Sequence, residues 1–115
     1  MQAPGVLNLT CYQGASFDRT LTWKIDGTAV NLTGYSARMQ VRSTYSSSTA
    51  VVSLTDGSGI TLGGAAGTIV IEITAATTAG IAEGQYVYDL ELVSGSGAVT
   101  RLVEGTFIVD PEVTK

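Results

Sequence analysis

The stretch Asn31–Arg42, NLTGYSARMQVR, decides how the chain is read. Leu32 is an apolar anchor ahead of Gly34, a residue free to take positive φ where the chain swings round. From Ser36 the pattern alternates strictly. Ala37, Met39 and Val41 fall on one side; Ser36, Arg38, Gln40 and Arg42 fall on the other. A period of two with one apolar face marks a half-buried strand. A helix fits worse, because its spacing puts Arg38 and Arg42 on one face and splits Met39 from Val41.

The same period recurs on both sides of this strand. Upstream, Val6–Tyr12 alternates Leu7, Leu9 and Cys11 against Asn8 and Thr10, and Gln13-Gly14 turns the chain. In the next strand Phe17, Arg19, Leu21 and Trp23 alternate with Asp18, Thr20, Thr22 and Lys24, which sends Leu21 and Trp23 into the core. Asp26-Gly27 predicts a hairpin turn with positive φ, followed by a short strand over residues 28–32. Downstream, Ser43–Thr49 (STYSSST) is polar and small. It reads as an exposed loop or, alternatively, as a contact surface with Tyr45 at its tip. Residues 50–55 form a strand with Val51 or Val52 inward beside Leu54; residues 56–59 turn, 60–62 form a short strand, and 63–67 turn again.

Ile69, Ile71 and Ile73 make one apolar stripe of the strand over residues 68–74. Residues 75–81, AATTAGI, predict a short helical turn that crosses between sheets. Tyr86, Tyr88, Leu90 and Leu92 then alternate against Val87, Asp89 and Glu91. Residues 95–97 make a hairpin loop, and 99–109 return as a long last strand. Its alternation breaks near Glu104-Gly105, where the glycine predicts a β-bulge. Asp110-Pro111 ends the sheet, because proline cannot donate to a central ladder.

With 115 residues, the chain is expected to form one domain over 1–115. Its composition, 44% hydrophobic and 14% charged, argues against disorder. About eight or nine short strands with turns every eight to twelve residues fit a two-sheet sandwich or a closed barrel. Trp23, the Ile69–Ile73 stripe and the Tyr88–Leu92 stripe favour the sandwich. The expected fold is therefore all-β, an antiparallel two-sheet immunoglobulin-like β-sandwich with one short helical turn near 75–81.

Reactive side chains are scarce. The sequence has no histidine, which excludes Ser-His-Asp, Cys-His and His-metal arrangements. Cys11, the single cysteine, cannot form an internal disulfide and reads as a small buried hydrophobe. The glycine-rich run Gly57–Gly67 lacks the Gly-Lys-Ser/Thr ending of a phosphate loop and leads into a strand, so it reads as paired turns. Asp89 and Glu91 share one strand face, with Glu72 a candidate to lie across from them. On an open sheet that is a solvated or interface face rather than a catalytic cleft. Asp56 lacks the further acids of a calcium loop. The two Asn-Leu-Thr sequons, at Asn8 and Asn31, have no secretion signal to go with them. No catalytic residue, metal or cofactor is expected.

The net charge is −4, and the six basic residues are scattered. Only Arg38 and Arg42 share a face, with Arg19 able to join them from a neighbouring strand, so no nucleic-acid partner is expected. Neither a membrane-spanning run nor a signal peptide is present, which predicts folding in a cytoplasm and no membrane partner. The low charge points to a surface partly covered by other copies or other proteins.

The LTGY turn entering ARMQVR, with Leu21-Thr22-Trp23-Lys24 just upstream, resembles a family of small β-sandwich structural proteins of tailed bacteriophages and prophages. The likeness extends to Tyr12–Phe17, Ile60–Gly67, Tyr86–Leu92 and Glu104–Phe107, so it covers nearly the whole chain. It is also similar to the N-terminal domain of phage upper baseplate proteins. The resemblance implies a non-enzymatic virion protein, made in the host bacterial cytoplasm, that bridges tail, baseplate or fibre components as a homo-oligomer or symmetric assembly. A capsid decoration protein is the alternative. Of another class is a carbohydrate-binding module, for which Tyr12, Tyr35, Tyr45 and Tyr86 are the available aromatics. On the tail reading the contact residues are Tyr45, with the termini: Met1–Gly5 at one end, and Pro111, Glu112, Val113 and the residues after them at the other.

Overall fold

The computed structural model describes residues 5–113. Its strands are β1 (Gly5–Val6), β2 (Leu9–Tyr12), β3 (Phe17–Thr22), β4 (Lys24–Ile25), β5 (Thr28–Ala29), β6 (Ser36–Arg42), β7 (Val52–Asp56), β8 (Gly59–Leu62), β9 (Thr68–Ile73), β10 (Gly84–Val93) and β11 (Val99–Asp110). A 3-10 turn, Gly64–Ala66, precedes β9, and a short helix α1, Ala75–Ala79, follows it. Hydrogen bonding runs β1-β11-β10-β6-β7-β8-β9-β3, with β2 also on β11 and β4-β5 a separate hairpin.

This path folds over on itself where β7 meets β8. There the only paired residues are Thr55 with Gly59 and Asp56 with Ile60. One layer holds β1, β2, β11, β10, β6 and β7, and the other holds β8, β9 and β3. Phe17 of β3 and Phe107 of β11 sit far apart along the path, yet their rings meet at 5.7 Å, which closes the layers face to face. The fold is an all-β, immunoglobulin-like sandwich. Tyr86, at the start of β10, donates its hydroxyl to the Ala82 carbonyl at 2.6 Å, the tyrosine corner of such sandwiches.

The alternating positions meet in the core. Ala37, Met39 and Val41 are buried from β6, Ile69, Ile71 and Ile73 from β9, and Tyr86, Tyr88, Leu90 and Leu92 from β10. Fully burying an aliphatic side chain of this kind is worth roughly 1.5–3 kcal/mol. Leu32 is buried ahead of Gly34, whose φ of 84° is the turn the sequence requires. Asp26 and Gly27 both take positive φ, 52° and 79°, the I′ geometry that suits a two-residue hairpin. Thr74 caps α1 by accepting the Thr77 N–H.

Several expectations are corrected. The pairing is not purely antiparallel, because β1 and β2 run parallel to β11. Between them Asn8 stands in for backbone, its Oδ1 accepting the Thr106 N–H at 3.1 Å. The irregularity expected near Glu104-Gly105 falls at Leu102, skipped between the Leu90–Val103 and Glu91–Arg101 pairs. Gly105 serves close approach instead: a Cβ there would run into the Leu7 carbonyl and stand 2.9 Å from Asn8 Oδ1. The third strand ends at Thr22, one residue short of Trp23, while Leu21 packs half-buried against the core as expected. Trp23 lies beyond that strand, buried edge-on against Tyr35 with ring centroids 6.1 Å apart. Of the two valines, Val52 faces in and Val51 is exposed.

Candidate functional site

The outer face of the larger layer gathers most of the charged side chains the sequence singled out. In β6 and β10 the inward positions are apolar, so the alternate positions must point out. Register then sets Arg38 opposite Glu91, Gln40 opposite Asp89 and Arg42 opposite Val87. On the other flank of β10, Glu104 of β11 pairs with Asp89, and Arg101 pairs with Glu91.

These groups are cross-linked. Arg38 Nε donates to Glu91 Oε1 at 2.7 Å. Arg101 reaches Asp89 at 3.5 Å and Glu104 at 3.3 Å. Arg42 donates to the Ser47 carbonyl at 2.8 Å and to Gln40 Oε1 at 2.7 Å, which ties the polar loop to the strand. Three guanidinium groups and three carboxylates therefore share one face, and their charges balance. Asp89 is held above the usual carboxylate range, chiefly by burial and then by Glu91, with Arg101 working the other way.

Two shallow recesses lie along this face. One, about 230 Å³, is lined by Gln40, Arg42, Tyr45, Val87, Asp89 and Glu91. The second, also about 230 Å³, is bordered by Arg38, Gln40, Ser53, Thr55, Asp89 and Glu91. Gln40, Asp89 and Glu91 line both, so the recesses adjoin. A third groove, about 320 Å³, opens where the layers part, between Val51–Leu54 and Glu72–Thr74. Among the described residues, no strand pairs with residues 52–54 of β7 or 72–73 of β9 on that side.

The remaining candidates separate. Tyr45 is 75% exposed at the rim of the first recess, and Val113 is 95% exposed. The loop after β6 and the tail after β11 leave the layer at the same end, two strands apart. Pro111 is exposed, whereas Glu112 is half-buried, its N–H bonded to Gln13 Oε1 at 3.1 Å. The tail is thus anchored as far as Glu112, and Met1–Pro4 with Thr114–Lys115 lie outside the described residues.

Glu72 does not join Asp89 and Glu91. It sits in the other layer, opposite Asp18 of β3. Arg19 also stays apart from Arg38 and Arg42, on the inward row of β3. Asp56 is spent on structure, its Oδ1 accepting the Ala37 N–H at 2.9 Å. Of the four tyrosines, Tyr86 is buried and Tyr35 packs on Trp23, which leaves Tyr12 and Tyr45 exposed. Nothing in the sequence marks Gln40 and Val87 as site residues, since neither carries a signal apart from its strand position.

Among the described residues no group of three or more Cys, Asp or Glu is placed to hold a metal ion. No helix among them is long and apolar enough to cross a membrane.

No family model and no curated protein matches the chain. Among solved structures it is similar to CopC from Methylosinus trichosporium OB3b. That match has 18% identity and a TM-score of 0.48 and covers 99% of this chain and 90% of that one. It is also similar to the extracellular domains of the voltage-gated sodium channel β4 subunit, at 11% identity and a TM-score of 0.38, covering 98% of each chain. Drosophila OTK extracellular domains 3–5 match at 18% identity and a TM-score of 0.34, over 96% of this chain and 34% of that one. At these scores the fold assignment rests on the strand pairing itself.

Proposed function

We propose that the chain is a non-enzymatic structural protein of a tailed-phage virion that bridges tail, baseplate or fibre components. The resemblance, which covers nearly the whole chain, supplies the virion context. The observation that carries a bridging role is the groove between β7 and β9. There, two strand edges that pair with no other strand among the described residues face one another across about 320 Å³. Unpaired edges are the usual template for adding a strand from another chain. Val51 and Ile73 line the groove with apolar surface, and Ser53, Thr74 and Thr77 line it with hydroxyls. Exposed Val6, Tyr12 and Val113 add apolar surface for contact with other copies in a symmetric assembly. On this reading the protein is made in the bacterial cytoplasm and ends in the virion.

Quantitative mass spectrometry of purified particles tests the proposal, counting copies of this chain against the major capsid protein. A few copies per particle, in the symmetry of a tail or its connector, is the expected result. Hundreds of copies would make it a capsid decoration protein, and absence from the particle would overturn both.

A further inference from the structure

The outer face of β6 and β10 has the chemistry of a binding site, and its charge balance narrows what it could bind. Arg38, Arg42 and Arg101 offset Asp89, Glu91 and Glu104 on one surface. A polyanion or polycation therefore gains little from the local field. Hydrogen-bonding groups of both kinds remain within a few ångströms of one another. Asp89 and Glu91 offer carboxylate oxygens, while Gln40 and Arg42 offer N–H groups held in place by their mutual 2.7 Å bond. Preorganised donors lose less freedom when a ligand binds.

Tyr45 adds an exposed aromatic ring at the rim, on a loop that Arg42 pins through the Ser47 carbonyl. The negative face of such a ring suits the slightly positive C–H face of a sugar. Sugar hydroxyls donate and accept at once, which matches interleaved carboxylates and N–H groups. The two recesses, each about 230 Å³ and sharing Gln40, Asp89 and Glu91, form one track rather than a single pit.

We propose that this track binds a neutral oligosaccharide, with one sugar against Tyr45 beside Asp89 and Arg42 and the next between Arg38 and Ser53. The site goes beyond the virion reading and is independent of it, since a glycan can be bound by a protein of any location.

Amide NMR titration of the intact protein tests it with four neutral disaccharides: maltose, cellobiose, lactose and N,N′-diacetylchitobiose, each to about 10 mM, a concentration that detects even millimolar affinity. A sulfated heparin disaccharide and deacetylated chitobiose serve as the charged arms. The expected result is saturable shifts at Gln40, Arg42, Tyr45, Val87 and Asp89 with at least one neutral sugar. Tyr45→Ala should weaken binding about tenfold. Because Tyr45 is exposed, that variant should keep the remaining amide pattern, and Asp89→Asn provides a second test on the acceptor side. No shift with any neutral probe, shifts with a charged probe alone, or shifts unchanged in both variants would each overturn the proposal. Particle counts would be unaffected by any of these results.

Discussion

Tyr88 shows how one side chain can carry both packing and polarity. Its ring packs at 70° to Phe107, and its hydroxyl crosses to the Leu7 carbonyl, holding the N-terminal arm against β10. Burial pushes its pKa up to about 12 from an ordinary 10.0, with Arg19 working the other way. A raised folded-state value means the native protein keeps this proton where the unfolded chain gives it up. The stabilising contribution is therefore complete below pH 10 and is lost as pH rises through 10 towards 12. Up to roughly 2–3 kcal/mol is at stake over that window. Tyr88→Phe should cost about 1–2 kcal/mol at neutral pH, the value of a buried hydrogen bond. It should also flatten the alkaline loss of stability. Urea unfolding of both proteins at a series of pH values checks this, and parallel declines would assign the alkaline loss to other groups.

At the scale of elements, α1 and the turn before β3 are joined by a small polar network. Thr78 is fully buried; its hydroxyl accepts the Gly14 N–H at 3.1 Å and lies 2.8 Å from the Ala15 carbonyl. Gln13 adds a bond from Nε2 to the Ile81 carbonyl at 2.9 Å. Thr78→Val keeps the shape but orphans Gly14 N–H and Ala15 C=O. It should destabilise by about 2–3 kcal/mol, read as a lower denaturation midpoint at constant slope. Thr78→Ser, which keeps the hydroxyl, should recover most of that. Nothing in AATTAGI distinguishes Thr78 from Thr77, because its partners lie more than sixty positions upstream. By contrast β6, β9 and β10 were legible residue by residue, since a strand with one buried face writes its period directly into the sequence. The parallel arm was not legible: its alternation reveals a strand but not a partner 98 residues away. The candidate track was half legible. Asp89 and Glu91 visibly share a face, whereas the guanidinium of Arg38 comes from another strand 53 positions distant.

In the whole molecule, the chain closes on itself when its first strands dock on its last. Leu9 and Cys11 are fully buried by that docking, yet among the described residues β2 pairs on one side only and sits at the edge of its layer. Two modes of opening are physically distinct. Either the arm detaches alone, exposing a few side chains, or Cys11 becomes accessible only when both layers separate. Denaturant dependence separates the modes, since the slope scales with the surface exposed. Cys11 is a built-in probe: it is the only thiol in the sequence, and burial raises its pKa and so suppresses its reactivity in the closed state. The β11 pairing, the Asn8 bond and the Tyr88 bond tie the arm down along its length, but all cross one seam. The expected outcome is labelling of Cys11 by a thiol reagent with a shallower urea dependence than global unfolding, made faster by Tyr88→Phe. Labelling with the full unfolding slope, unchanged in that variant, would instead make arm and sandwich a single cooperative unit. A separable arm would leave the edge of β11 open to a strand from a neighbouring copy, the exchange that symmetric assemblies use at low cost.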